Sequence, residues 1–316
     1  MGRGRNERLV AVLLAGGLGV VVLIAGSVVA AHGSSPGPET AGRLPSTPSE
    51  VRVALVTGST GGLGREVARR LAAQGAHVIV HGRNVERGEA LVAEIEAQGR
   101  GSARFIAADL ASLAEVRSLA ETVLADYDRL DLLVNNAGIW LGGERQVSDD
   151  GHELHFQVNY LSGFLLTRML LPLLRESAPA RIIQVSSIAQ APIDFDDVML
   201  EEGYDPSRAY AQSKLAQVMF TEDLAAELEG SGVMALSLHP ATLMDTDMVV
   251  ERDIRPRASV EEGTEAVMHL IEASDVESGD YYQGLERTRP HEQADDPAAR
   301  EELRRLSYRL TGAPGG

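Results

Sequence analysis

The stretch Thr57-Gly58-Ser59-Thr60-Gly61-Gly62-Leu63-Gly64 joins an apolar run, 51–57, to a segment of helical period that begins at Leu63. Glycines allow a bound group to approach the backbone closely, and the first turn of a helix offers unpaired amide donors to phosphate oxygens. A glycine-rich turn between a strand and a helix therefore predicts a phosphate-binding loop that opens a βαβ unit.

Apolar runs and helical segments alternate along the rest of the chain. We predict strands at 51–57, 77–82, 104–107, 131–135, 181–186, 233–239 and 280–282. Predicted helices cover 63–74, 85–98, 113–126, 152–170, 210–228 and 260–273, and a terminal helix covers 297–310. Asp296 can cap this terminal helix, and Pro297 suits its first position. Strands alternating with helices predict an α/β fold, a doubly wound parallel sheet of seven strands.

The first fifty residues differ in composition from the rest. Arg3, Arg5 and Arg8 precede an uncharged run, 9–31, that exceeds the roughly 20 residues needed to span a bilayer. Residues 1–33 are therefore predicted to be a transmembrane anchor, or alternatively a cleaved signal segment, since small residues end the run. A Pro/Ser/Gly linker, 34–50, separates this segment from a single domain over 51–316.

The overall composition excludes several classes of function. A net charge of -17 argues against a nucleic-acid surface, which needs clustered basic residues. The absence of cysteine excludes disulfides, thiolate metal sites and thiol nucleophiles. His152 and His155 have helical spacing but no carboxylate that completes a ligand set, so we predict surface or supporting positions and no metal site.

The end of the second predicted strand, His81-Gly82-Arg83-Asn84, bears on the choice of dinucleotide. A site selective for NAD usually places an acidic residue there to hold the ribose hydroxyls, and none is present. Arg83 can instead pair with a 2′-phosphate, which predicts NADP rather than NAD. Asp109, after the third strand, is predicted either to accept a hydrogen bond from adenine or to cap the next helix.

Lys214 is the single lysine of the chain, and it follows Tyr210 by four residues. Residues at this spacing share one face of a helix. Lysine is a compact ammonium with a movable pKa, whereas arginine is always charged. An ammonium beside a tyrosine hydroxyl is expected to lower the tyrosine pKa, which would make Tyr210 a general acid near neutral pH.

These motifs, with Asn135-Asn136-Ala137-Gly138, Asn159 and Ser186-Ser187 between them, resemble the short-chain dehydrogenase/reductase family. The chain is most similar to its retinol-dehydrogenase and WW-domain-oxidoreductase-like branch, because the segment between Ser187 and Tyr210 is longer than usual. The resemblance implies a Rossmann fold and a hydride-transferring enzyme.

The same resemblance implies a role for each matching residue. Tyr210 would exchange a proton with the substrate, Lys214 would hold the ribose and lower the tyrosine pKa, and Ser187 would bind the substrate oxygen. Asn159 would support a proton relay, and Ser186 would only cap its strand. Ala241 stands where the family usually has glycine, and Thr246 is a further candidate contact. The implied cofactor contacts are Thr57, Gly58, Ser59, Thr60, Gly62, Leu63, Gly64, Arg83, Asp109, Leu110, Asn136, Ala137, Gly138, Tyr210, Lys214, Pro240 and Thr242.

The function implied is an NADP(H)-dependent oxidoreductase acting on a carbonyl or alcohol, with a hydrophobic small molecule as substrate and a homo-oligomer as the assembly. Trp140 and 193–204 are predicted to border the substrate pocket, although 193–204 could instead form a small satellite core. One alternative is a membrane-tethered dinucleotide-binding scaffold without catalysis. Another is a nucleotide-sugar epimerase or dehydratase, which the short chain after His239 disfavours.

Localisation is predicted at a membrane, through residues 9–31. The basic residues before this run would place the domain outside the cell. NADPH, however, is a cytoplasmic cofactor, so we predict a catalytic domain on the cytoplasmic side.

Overall fold

A computed structural model describes residues 51–315. Its centre is one sheet of eight strands in the order β3-β2-β1-β4-β5-β6-β7-β8. The first seven strands pair in parallel, and only β7 and β8 are antiparallel. The strands are β1 (Val53–Val56), β2 (His77–Gly82), β3 (Ser102–Ala107), β4 (Leu132–Asn135), β5 (Ala180–Val185), β6 (Val233–His239), β7 (Tyr281–Gln283) and β8 (Glu286–Thr288).

Eight α-helices accompany the sheet in the described part of the chain, besides a π-helical turn (Phe156–Leu161) and a 3-10 turn (Glu292–Asp295). They are α1 (Gly62–Ala73), α2 (Val85–Gln98), α3 (Leu113–Asp126), α4 (Ser162–Glu176), α5 (Pro206–Glu227), α6 (Asp247–Val250), α7 (Val260–Glu272) and α8 (Pro297–Thr311). Alternate residues of β1 face opposite cores: Val53 and Leu55 pack in the layer of α3, α4, α5 and α8, whereas Ala54 and Val56 pack in the layer of α1, α2 and α7. The doubly wound α/β fold is confirmed.

The prediction of seven strands was wrong, because β8 adds an antiparallel edge strand. Glu286–Thr288 is three polar residues with no alternating apolar pattern, so periodicity gave no signal for it. Gly284 turns the chain back with a φ of 60° and allows the hairpin.

Two predicted helices have different bounds in the structure. The segment predicted as helix 152–170 contains a π-helical turn, Phe156–Leu161, and continues as α4 past Pro172 to Glu176. Burial of the leucines on both sides of Pro172 compensates for the backbone hydrogen bond that proline cannot make. Helix α5 begins at Pro206, four residues before the predicted start, because Asp205 accepts a hydrogen bond from Arg208 N at 2.7 Å and caps it.

The predicted anchor 1–33 and linker 34–50 lie outside the described residues. Within residues 51–315, no helix combines the length and apolarity needed to cross a membrane.

The topology places one cleft at the carboxyl ends of the strands. The sheet runs outward from β1 in one direction through β2 and β3, and in the other through β4, β5 and β6. Chain segments leaving β1 and β4 therefore separate to opposite faces, as at the ligand-binding crevice of doubly wound sheets. The cleft there has a volume of about 710 Å³.

Asp131 joins the start of β1 to the start of β4 and gives a test of the fold. It is 7% exposed, and its Oδ2 accepts from Val53 N at 2.7 Å. Its carboxylate also pairs with Arg129. We expect Asp131→Ala to lower the free energy of unfolding by about 1–3 kcal/mol, because it leaves a buried amide unpaired.

The matched control is Glu277→Ala, which removes a carboxylate from an exposed surface pair with Arg287. Its effect should stay within about 0.5 kcal/mol. Urea unfolding of both variants measures the difference, and equal effects would contradict the role assigned to Asp131.

Candidate active site

The glycine-rich loop after β1 is shaped by close backbone contacts. Gly58 has a φ of 64°, and a Cβ there would lie 2.8 Å from Ala137 Cα. A Cβ at Gly64 would lie 2.5 Å from Gly58 O, so any larger residue would push the loop away from α1. The loop lines the cleft with the backbone of these glycines and with Thr60, Gly62 and Leu63. This cradle fits the phosphates of a dinucleotide at the N-terminus of α1.

Thr57 and Ser59 support this loop from behind. Thr57 Oγ1 accepts hydrogen bonds from Asn136 N and Ala137 N, each at 3.0 Å, and so ties the tip of β1 to the tip of β4. Ser59 Oγ donates to Val56 O at 2.7 Å, and its side chain is fully buried. Neither side chain lines the cleft, whereas Asn136, Ala137 and Gly138 do.

Arg83, Asp109 and Leu110 line the far end of the cleft, at the tips of β2 and β3. Arg83 Nη1 lies 3.6 Å from Asp109 Oδ2, and both side chains remain accessible. The alternative role of Asp109 as a helix cap was wrong. Ser112 caps α3 by accepting from Glu115 N at 3.3 Å, and Asp109 Oδ1 accepts from Ala111 N instead.

Lys214 lies in α5 and is only 4% exposed. Its Nζ donates to Val185 O and to Gln217 Oε1, each at 3.0 Å. Burial without a carboxylate partner lowers the pKa of Lys214 to about 7. Gly138 leaves room for this ammonium, since a Cβ there would lie 3.4 Å from Nζ.

Tyr210 lines the cleft, and its ring centroid lies 5.7 Å from Lys214 Nζ. Burial raises the pKa of Tyr210, and a hydrogen bond with Ser187 acts in the opposite direction. In the protein alone the net pKa of Tyr210 is therefore raised, opposite to the lowering expected beside Lys214. The dominant effect is desolvation of the phenolate, which disfavours its charge.

The two serines after β5 do different things. Ser186 Oγ donates to Lys214 O at 2.7 Å, so its hydroxyl is used to fix α5 and not merely to cap its strand. Ser187 lines the cleft beside Tyr210, and its backbone oxygen accepts from Tyr281 OH at 2.9 Å. This geometry favours Ser187 as the serine that faces a substrate.

Asn159 occupies the π-helical turn. Its Oδ1 accepts from Ile139 N at 2.7 Å, and its Nδ2 donates to Ile139 O at 3.1 Å and to Ser213 Oγ at 2.9 Å. It therefore joins the loop after β4 to α5, next to the lysine. It is buried behind the cleft and does not line it.

The wall that follows β6 closes the other side of the cleft. Pro240, Ala241, Thr242 and Thr246 all line it. Thr242 Oγ1 lies 2.9 Å from His239 Nε2, and burial lowers the pKa of His239 to about 4. Thr246 packs close to Gly62, since a Cβ at Gly62 would lie 3.1 Å from Thr246 Cγ2.

The sequence model of the short chain dehydrogenase family matches residues 52–256. The chain belongs to the short-chain dehydrogenase family. It is 36% identical over 274 residues to mouse retinol dehydrogenase 12, covering 83% of this chain and 86% of that protein. It is 42% identical over 195 residues to mouse retinol dehydrogenase 11, covering 61% of each chain. These similarities confirm the retinol-dehydrogenase branch and an enzyme that acts on alcohol or carbonyl groups.

Solved structures of other short-chain dehydrogenases share the fold. The Pseudomonas aeruginosa RhlG/NADP complex matches with a TM-score of 0.60 and 30% identity, covering 73% of this chain and 94% of that one. A 3-ketoacyl-(acyl-carrier-protein) reductase from Brucella melitensis, complexed with NADH, matches with a TM-score of 0.59 and 26% identity, covering 74% and 97%. The chain is accordingly an NAD(P)-dependent oxidoreductase.

The substrate side of this short-chain dehydrogenase differs in part from the prediction. Trp140 lines the cleft, as predicted. The segment 193–204 does not line it, and three of its apolar residues are buried: Ile193, Val198 and Leu200. These apolar side chains are therefore buried, as in the satellite-core alternative, but Ile193 and Val198 join the main core in the layer of α3, α4, α5 and α8 and do not form a separate satellite.

Sequence reasoning missed the burial of three histidines in this dehydrogenase. His81 accepts a hydrogen bond from Gly58 N at 3.2 Å, and burial lowers its pKa to about 4. His152 and His155 were predicted at supporting or surface positions, but both are at most 7% exposed. Within residues 51–315, no group of three His, Cys, Asp or Glu side chains could hold a metal ion. The available signal for His81 was its place in a strand beside the glycine loop.

Proposed function

We propose that this protein is an NADP(H)-dependent oxidoreductase that moves a hydride between nicotinamide and a carbonyl or alcohol, with Tyr210 as general acid and base. The observation that carries the proposal is the meeting of Tyr210, Ser187 and Lys214 at the cleft that the glycine loop opens. When bound, the nicotinamide supplies or accepts the hydride. The chain's own residues manage the proton and orient the substrate.

In the reductive direction, the Tyr210 hydroxyl donates its proton to the substrate oxygen, and Ser187 stabilises the charge that develops there. In oxidation, Tyr210 takes the proton back. A raised pKa keeps Tyr210 protonated and able to donate at neutral pH. Lys214, with a pKa near 7, can take up or release a proton at neutral pH. Asn159 bonds both the loop after β4 and helix α5, between which a proton relay would run.

NADP is the proposed cofactor because Arg83 lies at the cleft end and no acidic residue stands at the tip of β2. A guanidinium can form two charge-assisted hydrogen bonds with a 2′-phosphate. Asp109 lies 3.6 Å from Arg83 and would orient its guanidinium. The loop residues Thr57 and Ser59 would shape the phosphate cradle, while Thr60, Leu110, Pro240 and Thr242 would contact the cofactor directly.

A neutral, hydrophobic substrate suits the region around Tyr210. The residues that line the cleft there are mainly apolar: Ile139, Trp140, Leu141, Leu154, Val158, Ile188, Met248 and Val249. Two relatives are retinol dehydrogenases by name, which supports the same class. We also propose membrane attachment through residues 9–31 with the catalytic domain on the cytoplasmic side, and the homo-oligomer stays a prediction.

Removal of the Tyr210 hydroxyl tests the proposed chemistry. Tyr210→Phe should lower kcat by roughly 10²–10⁴-fold, the contribution usual for a general acid, while the NADPH dissociation constant changes little. Lys214→Arg should also lower kcat, because a larger and permanently charged group replaces an ammonium whose pKa is near 7. NADPH oxidation with aldehydes, ketones, retinoids and steroids measures turnover, and fluorescence titration measures binding.

Tyr127→Phe is the matched control, since Tyr127 is buried and bonds His77 Nε2 at 2.9 Å without lining the cleft. It should retain turnover. Full turnover in Tyr210→Phe would disprove the proposed role of the tyrosine.

Arg83 tests the choice of cofactor. Arg83→Ala should weaken NADPH binding by roughly 10–100-fold, because a charge-assisted hydrogen bond contributes about 1.5–3 kcal/mol, and it should leave NADH binding unchanged. Arg305→Ala, which removes an exposed guanidinium from α8, should change neither. Calorimetric titration measures the dissociation constants of NADPH and NADH. An equal loss of affinity for the two nucleotides would contradict selection for the 2′-phosphate.

A further inference from the structure

Trp140 forms part of the cleft wall directly beside Tyr210. The two ring centroids lie 5.8 Å apart, with an angle of 40° between the ring planes. Trp140 belongs to the loop that follows β4, and it is partly exposed. Trp140 therefore occupies space in the cleft next to the ring of Tyr210.

Arg252, in the segment that follows α6, holds Trp140 through two contacts. Its guanidinium carbon lies 4.1 Å from the Trp140 ring centroid, and its Nη1 donates to Trp140 O at 2.6 Å. A cation over an aromatic face is attracted by the negative potential of the ring. Gly142 makes room for this contact, since a Cβ there would lie 3.1 Å from Arg252 Nη2. These contacts join the loop after β4 to the segment after α6.

His155 holds the same loop from the protein interior. Its Nε2 accepts a hydrogen bond from Leu141 N at 2.9 Å, and its ring meets that of Tyr210 edge-on, with centroids 6.4 Å apart. Because Nε2 accepts, the ring proton must lie on Nδ1. Nδ1 lies 2.8 Å from Glu153 Oε1 and donates to it.

Glu153 is a carboxylate with no exposed surface, and it accepts from three donors. Besides His155, these are Phe156 N at 2.8 Å and Tyr204 OH at 3.4 Å. Burying a carboxylate costs free energy unless such donors satisfy it. The Glu153–His155 pair thus selects one imidazole tautomer of His155. The unprotonated Nε2 of that tautomer accepts from Leu141 N and holds the loop next to Trp140.

Resting on the proposed function, we propose that Trp140 is a specificity-determining side chain and that His155, oriented by Glu153, is the positioning residue that holds it beside Tyr210. Trp140 would exclude substrates that carry a bulky group next to the reacting carbon. Arg252 would hold the Trp140 ring from the segment after α6.

The position of Trp140 can be measured without substrate or cofactor, because it is the only tryptophan of the chain. In the cofactor-free, full-length protein, His155→Ala should shift the emission maximum to longer wavelength and increase quenching by acrylamide. His155→Gln should restore most of the wild-type signal, since its amide oxygen can accept from Leu141 N and its amide nitrogen can donate to Glu153.

His152→Gln is the matched control, because His152 is also buried on this segment but bonds Gln157 at 2.6 Å and not the loop. It should leave Trp140 emission and quenching unchanged. If His155→Ala does not fold, Arg252→Gln replaces it, since loss of this surface cation should also increase quenching. Wild-type quenching in both His155→Ala and Arg252→Gln, or the same change in His152→Gln, would overturn the positioning role.

Substrate competition tests the specificity role. Trp140→Ala should raise kcat/KM for a carbonyl branched next to the reacting carbon, relative to its unbranched isomer, by roughly 10-fold or more. Arg252→Gln and His155→Ala should raise KM for the unbranched substrate with a smaller change in kcat, whereas His155→Gln should stay close to the wild type. If Trp140→Ala is active but its ratio of kcat/KM for branched over unbranched substrate equals that of the wild type, the specificity role is overturned. Failure of the wild-type protein to oxidise NADPH with any carbonyl would instead overturn the proposed function and leave the fluorescence result standing.

Discussion

The burial of the Lys214 ammonium is the constraint on which the rest of the site depends. A buried cation without a carboxylate partner is costly, and among residues 51–315 its hydrogen-bond acceptors are Val185 O and Gln217 Oε1 alone. Ser186 fixes the backbone of the lysine, and Gly138 leaves space in front of its Nζ. The ends of β4 and β5 and the face of α5 are thereby brought to one point.

This arrangement explains why lysine and not arginine occupies position 214 in a chain whose other basic residues are all arginine. Burial lowers the pKa of Lys214 to about 7 and raises that of Tyr210, so desolvation favours the neutral form of both groups. An arginine would remain charged in the same place and would add volume to a packed site. In the proposed mechanism, the proton would therefore pass between two groups whose charged forms the fold disfavours.

Much of the fold and the chemical centre could be predicted, because local rules set them. The loop after β1 needs glycines because a Cβ at Gly58 or Gly64 would collide with neighbouring atoms. Tyr210 and Lys214 are four residues apart in α5 and so share one helix face. Other features depend on contacts distant in sequence. The edge strand β8 has no apolar pattern, the π-helical turn at Asn159 follows from its bonds to Ile139 and Ser213, and the burial of His155 depends on Glu153 and Leu141.

The most direct test of this account is the pKa of Lys214 itself. Because the chain has one lysine, labelling lysine with ¹³C at Cε gives a single NMR signal that can be followed with pH in the cofactor-free protein. The structure predicts a titration midpoint near 7. A midpoint at the ordinary lysine value of 10.5 would show a solvated ammonium and would contradict the buried acid–base centre.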